Sequence, residues 1–296
     1  MGHDPHQYFV APARATPELW RTLIGVVMIF IAGLALYQLA FAFLSNLIGP
    51  NATQGLVESL TLGDDTVIGT LHILLSFGFF GIALFMIVRG LHHRSPATLF
   101  GDWAAVVSDF LRVFLTVGGL FLALMILLPT DIDYVRNTEM PRDRWLLLLP
   151  VSLAAVMVQV GTEELVFRGY LQQQLAVRFP KWPLWLVLPS LLFGLLHVSG
   201  DAAGPNLLAY VCWTVAFGLA AADLTARTGA LGAAIGLHAA NNVMAILVAS
   251  LNGPGSGLAL YHIPMAMDDP RISAMMLPEL ATTLCVWLAA RLALKV

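Results

Sequence analysis

Six side chains in this sequence have the types and spacing to do chemistry: Glu163, Glu164, Arg168, His197, His238 and Asn242. All sit in runs of apolar residues. Ionisable groups in such runs cost a few kcal/mol each and mark candidate functional sites. Neighbours on a helix point about 100° apart, so the two adjacent carboxylates cannot share one role on one face. Glu164 precedes Arg168 by four residues, the favourable order for a helical ion pair, and is expected to be neutralised and held by it. Glu163 has no charged partner at that spacing. An unpaired carboxylate in an apolar setting suits a general base working near neutral pH. Asn242 lies four residues after His238, on the same helical face. Two imidazoles, an acid dyad and an amide at matched depth read as one shared site. The plainer alternatives are charges with only a packing role, or a proton relay in a transporter.

The elements that must position these groups are membrane helices. The chain of 296 residues is 58% hydrophobic and only 11% charged, against roughly 25% charged in soluble domains. The fold class expected is therefore all-α, a polytopic membrane bundle. About 20 apolar residues cross a bilayer, and eight such runs are visible, at 20–46, 67–89, 105–128, 145–178, 183–200, 206–226, 231–250 and 275–294. The fourth is too long for one simple span and contains Pro150, which can kink or break a helix. No strand pattern, internal repeat or separate soluble domain is evident, so 1–296 reads as one membrane domain. Residues 1–17 read as a polar N-terminal tail without the features of a signal peptide. Cys212 and Cys285 lack metal-ligand spacing and read as small core residues. The loop near 129–144 mixes Asp131, Asp133, Glu139 and Asp143 with three arginines and reads as solvated.

Orientation follows from the basic residues. With the N-terminus in the cytoplasm, ten of the 15 Lys and Arg fall on cytoplasmic segments. Four (Arg136, Arg142, Arg144 and Arg271) fall on the opposite side. Both termini are then cytoplasmic and the number of spans is even. The fourth and fifth spans turn around Phe179-Pro180-Lys181-Trp182-Pro183. Glu163 lies 18 residues before Lys181 and His197 lies 16 after it. At about 1.5 Å per residue the two come to nearly one height. The turn-proximal Gln172, Gln173, Gln174 and Arg178 are expected to project into the cytoplasm, with the site in the cytoplasmic half of the bilayer. A net charge of −3 gives no support to nucleic-acid binding.

Glu163-Glu164-x-x-x-Arg168, Phe193-x-x-x-His197 and His238-x-x-x-Asn242, in this order, resemble the three hallmark motifs of the CPBP family. That family contains the CAAX-processing membrane proteases and the bacterial Abi and bacteriocin-processing proteins. The resemblance covers roughly 145–250, the catalytic core, and Arg227-Thr-Gly-Ala-Leu231 looks like its usual lead-in. It implies an intramembrane endopeptidase with no covalent intermediate. Glu163, helped by His197, would activate a water. His238 and Asn242 would stabilise the oxyanion, with Glu164 and Arg168 in support. It implies a hydrophobic or prenylated peptide as substrate, with the bilayer as the other partner. The composition suits a bacterial inner membrane, with the site opening to the cytoplasmic side. The resemblance favours a mechanism without cofactor or metal. The alternative is zinc held by Glu163, Glu164, His197 and His238. The alternative function is a non-catalytic bacteriocin-immunity protein or peptide-binding scaffold.

Overall fold

A computed structural model describes residues 4–62, 65–127, 132–181, 183–197 and 203–296. Their helices are α1 (Asp4–Val10), α2 (Leu19–Ile48), α3 (Pro50–Leu62), α4 (Val67–Leu91), α5 (Trp103–Leu127), α6 (Arg142–Glu164), α7 (Gln173–Arg178), α8 (Leu184–Leu196), α9 (Leu207–Thr228), α10 (Gly232–Asn242) and α11 (Arg271–Leu294). Two π-helical stretches, Leu165–Gln172 and Val243–Val248, join α6 to α7 and extend α10. The all-α membrane bundle is borne out. Apolar helices stand at all eight expected places. Six are long and apolar enough to cross a membrane, while Leu184–Leu196 and Gly232–Val248 are shorter. The outer faces carry exposed Leu39, Phe43, Leu115 and Leu292, which suit lipid rather than water. Cys212 and Cys285 are exposed as well, contrary to the expected core placement. Pro150 does not break its span. The helix runs from Arg142 to Arg178, long enough to absorb one lost hydrogen bond.

One end of the bundle carries a small sheet that the sequence did not announce. β1 (Val135–Arg136) pairs antiparallel with β3 (Tyr261–Ile263), which pairs parallel with β2 (Ala249–Leu251). Runs of two or three residues are too short to show alternation. The loop expected to be solvated is partly built into this end. Arg136 donates to the Met140 and Leu260 carbonyls. Trp145 Nε1 donates to Leu247 O at 2.9 Å, tying the start of α6 to the end of the α10 extension. Asp131 of that loop and Trp182 of the 179–183 turn lie outside the described residues.

The other end corrects two expectations. Residues 4–15 are not a free tail: α1 and the 3-10 turn Ala11–Ala15 bury Phe9, Val10 and Ala13. Gln172, Gln173 and Gln174 do not project into solvent but are buried. Consecutive helical residues point about 100° apart, so the three amides reach three different neighbours. Gln172 Nε2 donates to Ala222 O and also meets His6 Nε2, both at 3.2 Å. Gln173 accepts from Arg94 at 2.6 Å and donates to Thr98 O at 3.0 Å. Gln174 Nε2 donates to Thr16 O at 3.3 Å and to His92 Nδ1 at 2.8 Å. Each Nε2 is thereby satisfied, while the buried Oε1 atoms of Gln172 and Gln174 have no hydrogen-bond partner among the described residues. Trp287 Nε1 donates to Asp223 Oδ2 at 3.0 Å, which sets the late part of α11 beside the late part of α9. Residues 4–15 and the C-terminal end of α11 therefore share one end of the bundle.

His92 makes this end acid-sensitive. Its Nδ1 faces Gln174 Nε2 and Thr16 Oγ1, and its Nε2 faces the Tyr170 hydroxyl, each at 2.8 Å. Burial, with Arg94 and Arg21 nearby, pushes the imidazole down to about 4. Between its ordinary value and about pH 4 the unfolded chain binds a proton that the native protein does not. Stability is then complete above about pH 6.5 and falls as pH drops towards 4, by up to about 3 kcal/mol. Thermal unfolding in detergent at stepped pH should show this slope, and His92→Gln should flatten it.

Candidate active site

Glu163 and Glu164 close α6 at the point where its winding turns from α to π. Single π turns often mark functional positions. Glu164 Oε1 accepts from Arg168 Nη1 at 2.8 Å, the pairing that the spacing predicted. Both groups are fully buried. Arg168 Nη2 continues to Gly218 O on α9 at 3.1 Å, and its guanidinium lies 4.6 Å above the Phe193 ring. The same Glu164 oxygen also meets His238 Nδ1 at 2.8 Å, so Glu164 orients the imidazole as well as holding the arginine. His238 can face it because α10 lies directly on α5. A Cβ at Gly236 would stand 2.7 Å from Phe110 O, and one at Gly232 would collide with the Val106 backbone. Only glycine permits so close an approach of two helices.

Glu163 sits between the two histidines. Its Oε1 is 3.5 Å from His197 Nε2 and its Oε2 is 3.5 Å from His238 Nε2. The hairpin arithmetic thus brings Glu163 and His197 together. His197 caps α8, and its Nδ1 lies 2.7 Å from Phe193 O, which fixes the ring with Nε2 towards the acid. His197 is the most open of the six groups. Glu163 Oε2 is buried and has no hydrogen-bond partner among the described residues. Asn242 is half-buried; its Nδ2 donates to Gln159 Oε1 at 2.8 Å, and Asn241 donates to its Oδ1 at 3.1 Å. All six groups singled out in the sequence therefore fall in one neighbourhood.

One further member, Gln159, was missed, and Phe193 was named only as the start of a motif, with no role given to it. Gln159 is buried on α6 and accepts from Asn242 Nδ2 at 2.8 Å. It lies four residues before Glu163, so helical spacing could have found it. A search confined to charges passes over a neutral amide. Phe193 is the platform of the site, with its ring 3.9 Å from that of His197 and 5.8 Å from that of His238. Glu163 and His197 open into a cavity of about 410 Å³ walled by Phe30, Phe77, Phe80 and Phe167. The arrangement offers a carboxylate between two imidazoles, with an amide alongside, at the edge of an aromatic pocket.

Glu164 Oε1 is shared by Arg168 Nη1 and His238 Nδ1, while its Oε2 is buried with no hydrogen-bond partner among the described residues. Among the described residues, no group of three or more His, Cys, Asp and Glu is arranged to hold a metal ion.

Residues 144–244 match a family described as Rce1-like, type II CAAX prenyl endopeptidase Rce1-like. The chain is also similar to an uncharacterized protein, YyaK, of Bacillus subtilis (strain 168). Identity is 29% over 249 residues, which covers 79% of each chain. No solved structure matches the chain.

Proposed function

Because residues 144–244 are an Rce1-like region of the CPBP family, we propose that this integral membrane protease hydrolyses a peptide bond in a hydrophobic or lipidated peptide, using water activated by Glu163. One observation carries the reading. A buried carboxylate with an unpartnered oxygen stands between two imidazole Nε2 atoms, at the edge of an aromatic cavity. Glu163 takes a proton from water as the hydroxide oxygen attacks the scissile carbonyl carbon. His197, fixed through its Nδ1, steadies the carboxylate and the water. The negative charge that develops on the carbonyl oxygen is met by His238 and Asn242. Fixed donors in a dry pocket stabilise such charge far better than water does. The carbon–nitrogen bond then breaks, and Glu163 returns the proton to the leaving amine. Apo distances of 3.5 Å suit this role, since catalytic hydrogen bonds tighten only with substrate in place. Aromatic walls suit a prenyl chain or apolar side chains.

On the basic-residue balance, the end of the bundle that holds His92 and Gln174 faces the cytoplasm of a bacterial cell. The mechanism needs no metal. The test is cleavage of a farnesylated CAAX-type peptide by the purified protein in nanodiscs, in ¹⁸O-labelled water, before and after dialysis against a chelator. One ¹⁸O should appear in the new carboxylate after a single turnover. Chelation should leave kcat within about twofold of its starting value. Loss of activity restored by zinc would overturn the metal-free part, and absence of cleavage of any lipidated or hydrophobic peptide would overturn the whole.

A further inference from the structure

A second cavity, of about 580 Å³, lies among α5, α10 with its π extension, α11 and the strand end of the bundle. It falls in the size range of ligand sites. Its wall is mostly apolar and rich in methionine. Four polar side chains, Asn241, Tyr134, Glu279 and Thr282, also line it. Glu279 is the member that asks for a partner. It lies eight residues into α11 from Arg271, roughly 12 Å at helical rise. Among the described residues, no hydrogen bond or ion pair engages its carboxylate. An acid inside a span with no counter-ion is expensive to keep. The open volume beside it is where a cation could stand.

This cavity adjoins the candidate site. Asn241 lines it and donates to Asn242, which donates in turn to Gln159, four residues before Glu163 on α6. The carboxylate–imidazole pair therefore borders an aromatic pocket and is linked through Gln159, Asn242 and Asn241 to a separate, carboxylate-bearing chamber. A peptide drawn across Glu163 would meet two environments of opposite character.

We propose that this second chamber is a specificity subsite, in which Glu279 pairs with a basic side chain of the substrate on the far side of the scissile bond from its apolar or lipidated end. The substrate class is then an amphipathic membrane peptide, greasy on one side of the cleaved bond and carrying Lys or Arg a few residues to the other. The inference rests on the endopeptidase reading, and its test is built to fail separately. The probes are dansylated peptides with one farnesylated cysteine, identical except for Lys, Gln or Glu three residues beyond it. Their affinity is measured by fluorescence on full-length Glu163→Gln protein in nanodiscs, where no turnover intervenes.

The Lys peptide should bind at least tenfold tighter than the Gln peptide, and the Glu peptide more weakly still. Adding Glu279→Gln should remove the Lys advantage, and adding Glu279→Lys should shift the preference to Glu. Glu279→Gln is nearly isosteric, so it carries the test if the lysine variant does not fold. Equal binding of the three peptides, no binding of any, or a Lys preference that survives Glu279→Gln overturns the proposal. If the ranking holds but wild-type protein cleaves none of the peptides, the subsite stands and the endopeptidase reading falls.

Discussion

Glu163→Gln is expected to lower kcat for a lipidated peptide by roughly 10²–10⁴-fold, the usual worth of a positioned general base. Gln keeps the shape of the side chain and can still face both imidazoles, but it cannot take a proton from water. Elution volume in detergent and melting temperature should stay close to wild type, since Glu163 makes no short ion pair. Substrate affinity should change little, because the loss falls on the transition state. This one measurement separates an enzyme from an immunity protein or scaffold that uses the same fold. A scaffold is indifferent to the substitution, and undiminished cleavage would remove Glu163 from the mechanism.

The second large effect is on stability. Arg168→Met leaves Glu164 buried without its cation. Breaking a buried ion pair from one side costs about 3–5 kcal/mol. Arg168 also loses its bond to Gly218 O, so the contact between the fourth span and α9 loosens as well. Unfolding in detergent should register the loss. The double variant Glu164→Gln/Arg168→Met should recover at least half of it, because a neutral amide tolerates burial where a lone carboxylate does not. Glu164→Ala should do double damage: it strands Arg168 and frees His238 Nδ1, so kcat should fall at least tenfold along with stability. If the double variant were no more stable than Arg168→Met alone, the charge-pair account would be wrong. The loss would then lie in packing against Phe193.

How much of this was readable beforehand depended on whether the relation ran along one helix or between helices. Glu164–Arg168 is an i, i+4 pair and follows from spacing alone. Glu163–His197 crosses two helices, but a short turn joins them, so counting residues from Lys181 sufficed. The His238–Glu164 contact joins the fourth and seventh spans, and no count along the chain supplies that. It depends on how closely α10 packs on α5, set by Gly232 and Gly236. The apparent conflict between adjacent carboxylates also dissolved in three dimensions. They do point apart, yet one imidazole touches both, with a different nitrogen for each. Gln172–Gln174 misled because polarity alone does not distinguish solvent from a buried partner. Their partners, His6, Thr16, Thr98 and Ala222, lie some 50–166 residues away. The strands failed for a similar reason, being short and joined only at long range.

The seating of residues 4–16 has a consequence for how the protein is made. His6 leans on Gln172 and Trp185, and Thr16 on His92 and Gln174. These residues leave the ribosome early, yet their docking place is complete only after the fourth, fifth and sixth spans have been inserted. Contacts at such separation form late, because the loop must close before they repay it. Throughout synthesis the segment must wait at the membrane surface with Phe9 and Val10 unsheltered. It can close over the finished bundle only at the end, which makes it a reporter of completed assembly. A protease added during synthesis should cut it readily, and the same protease added afterwards should find it shielded.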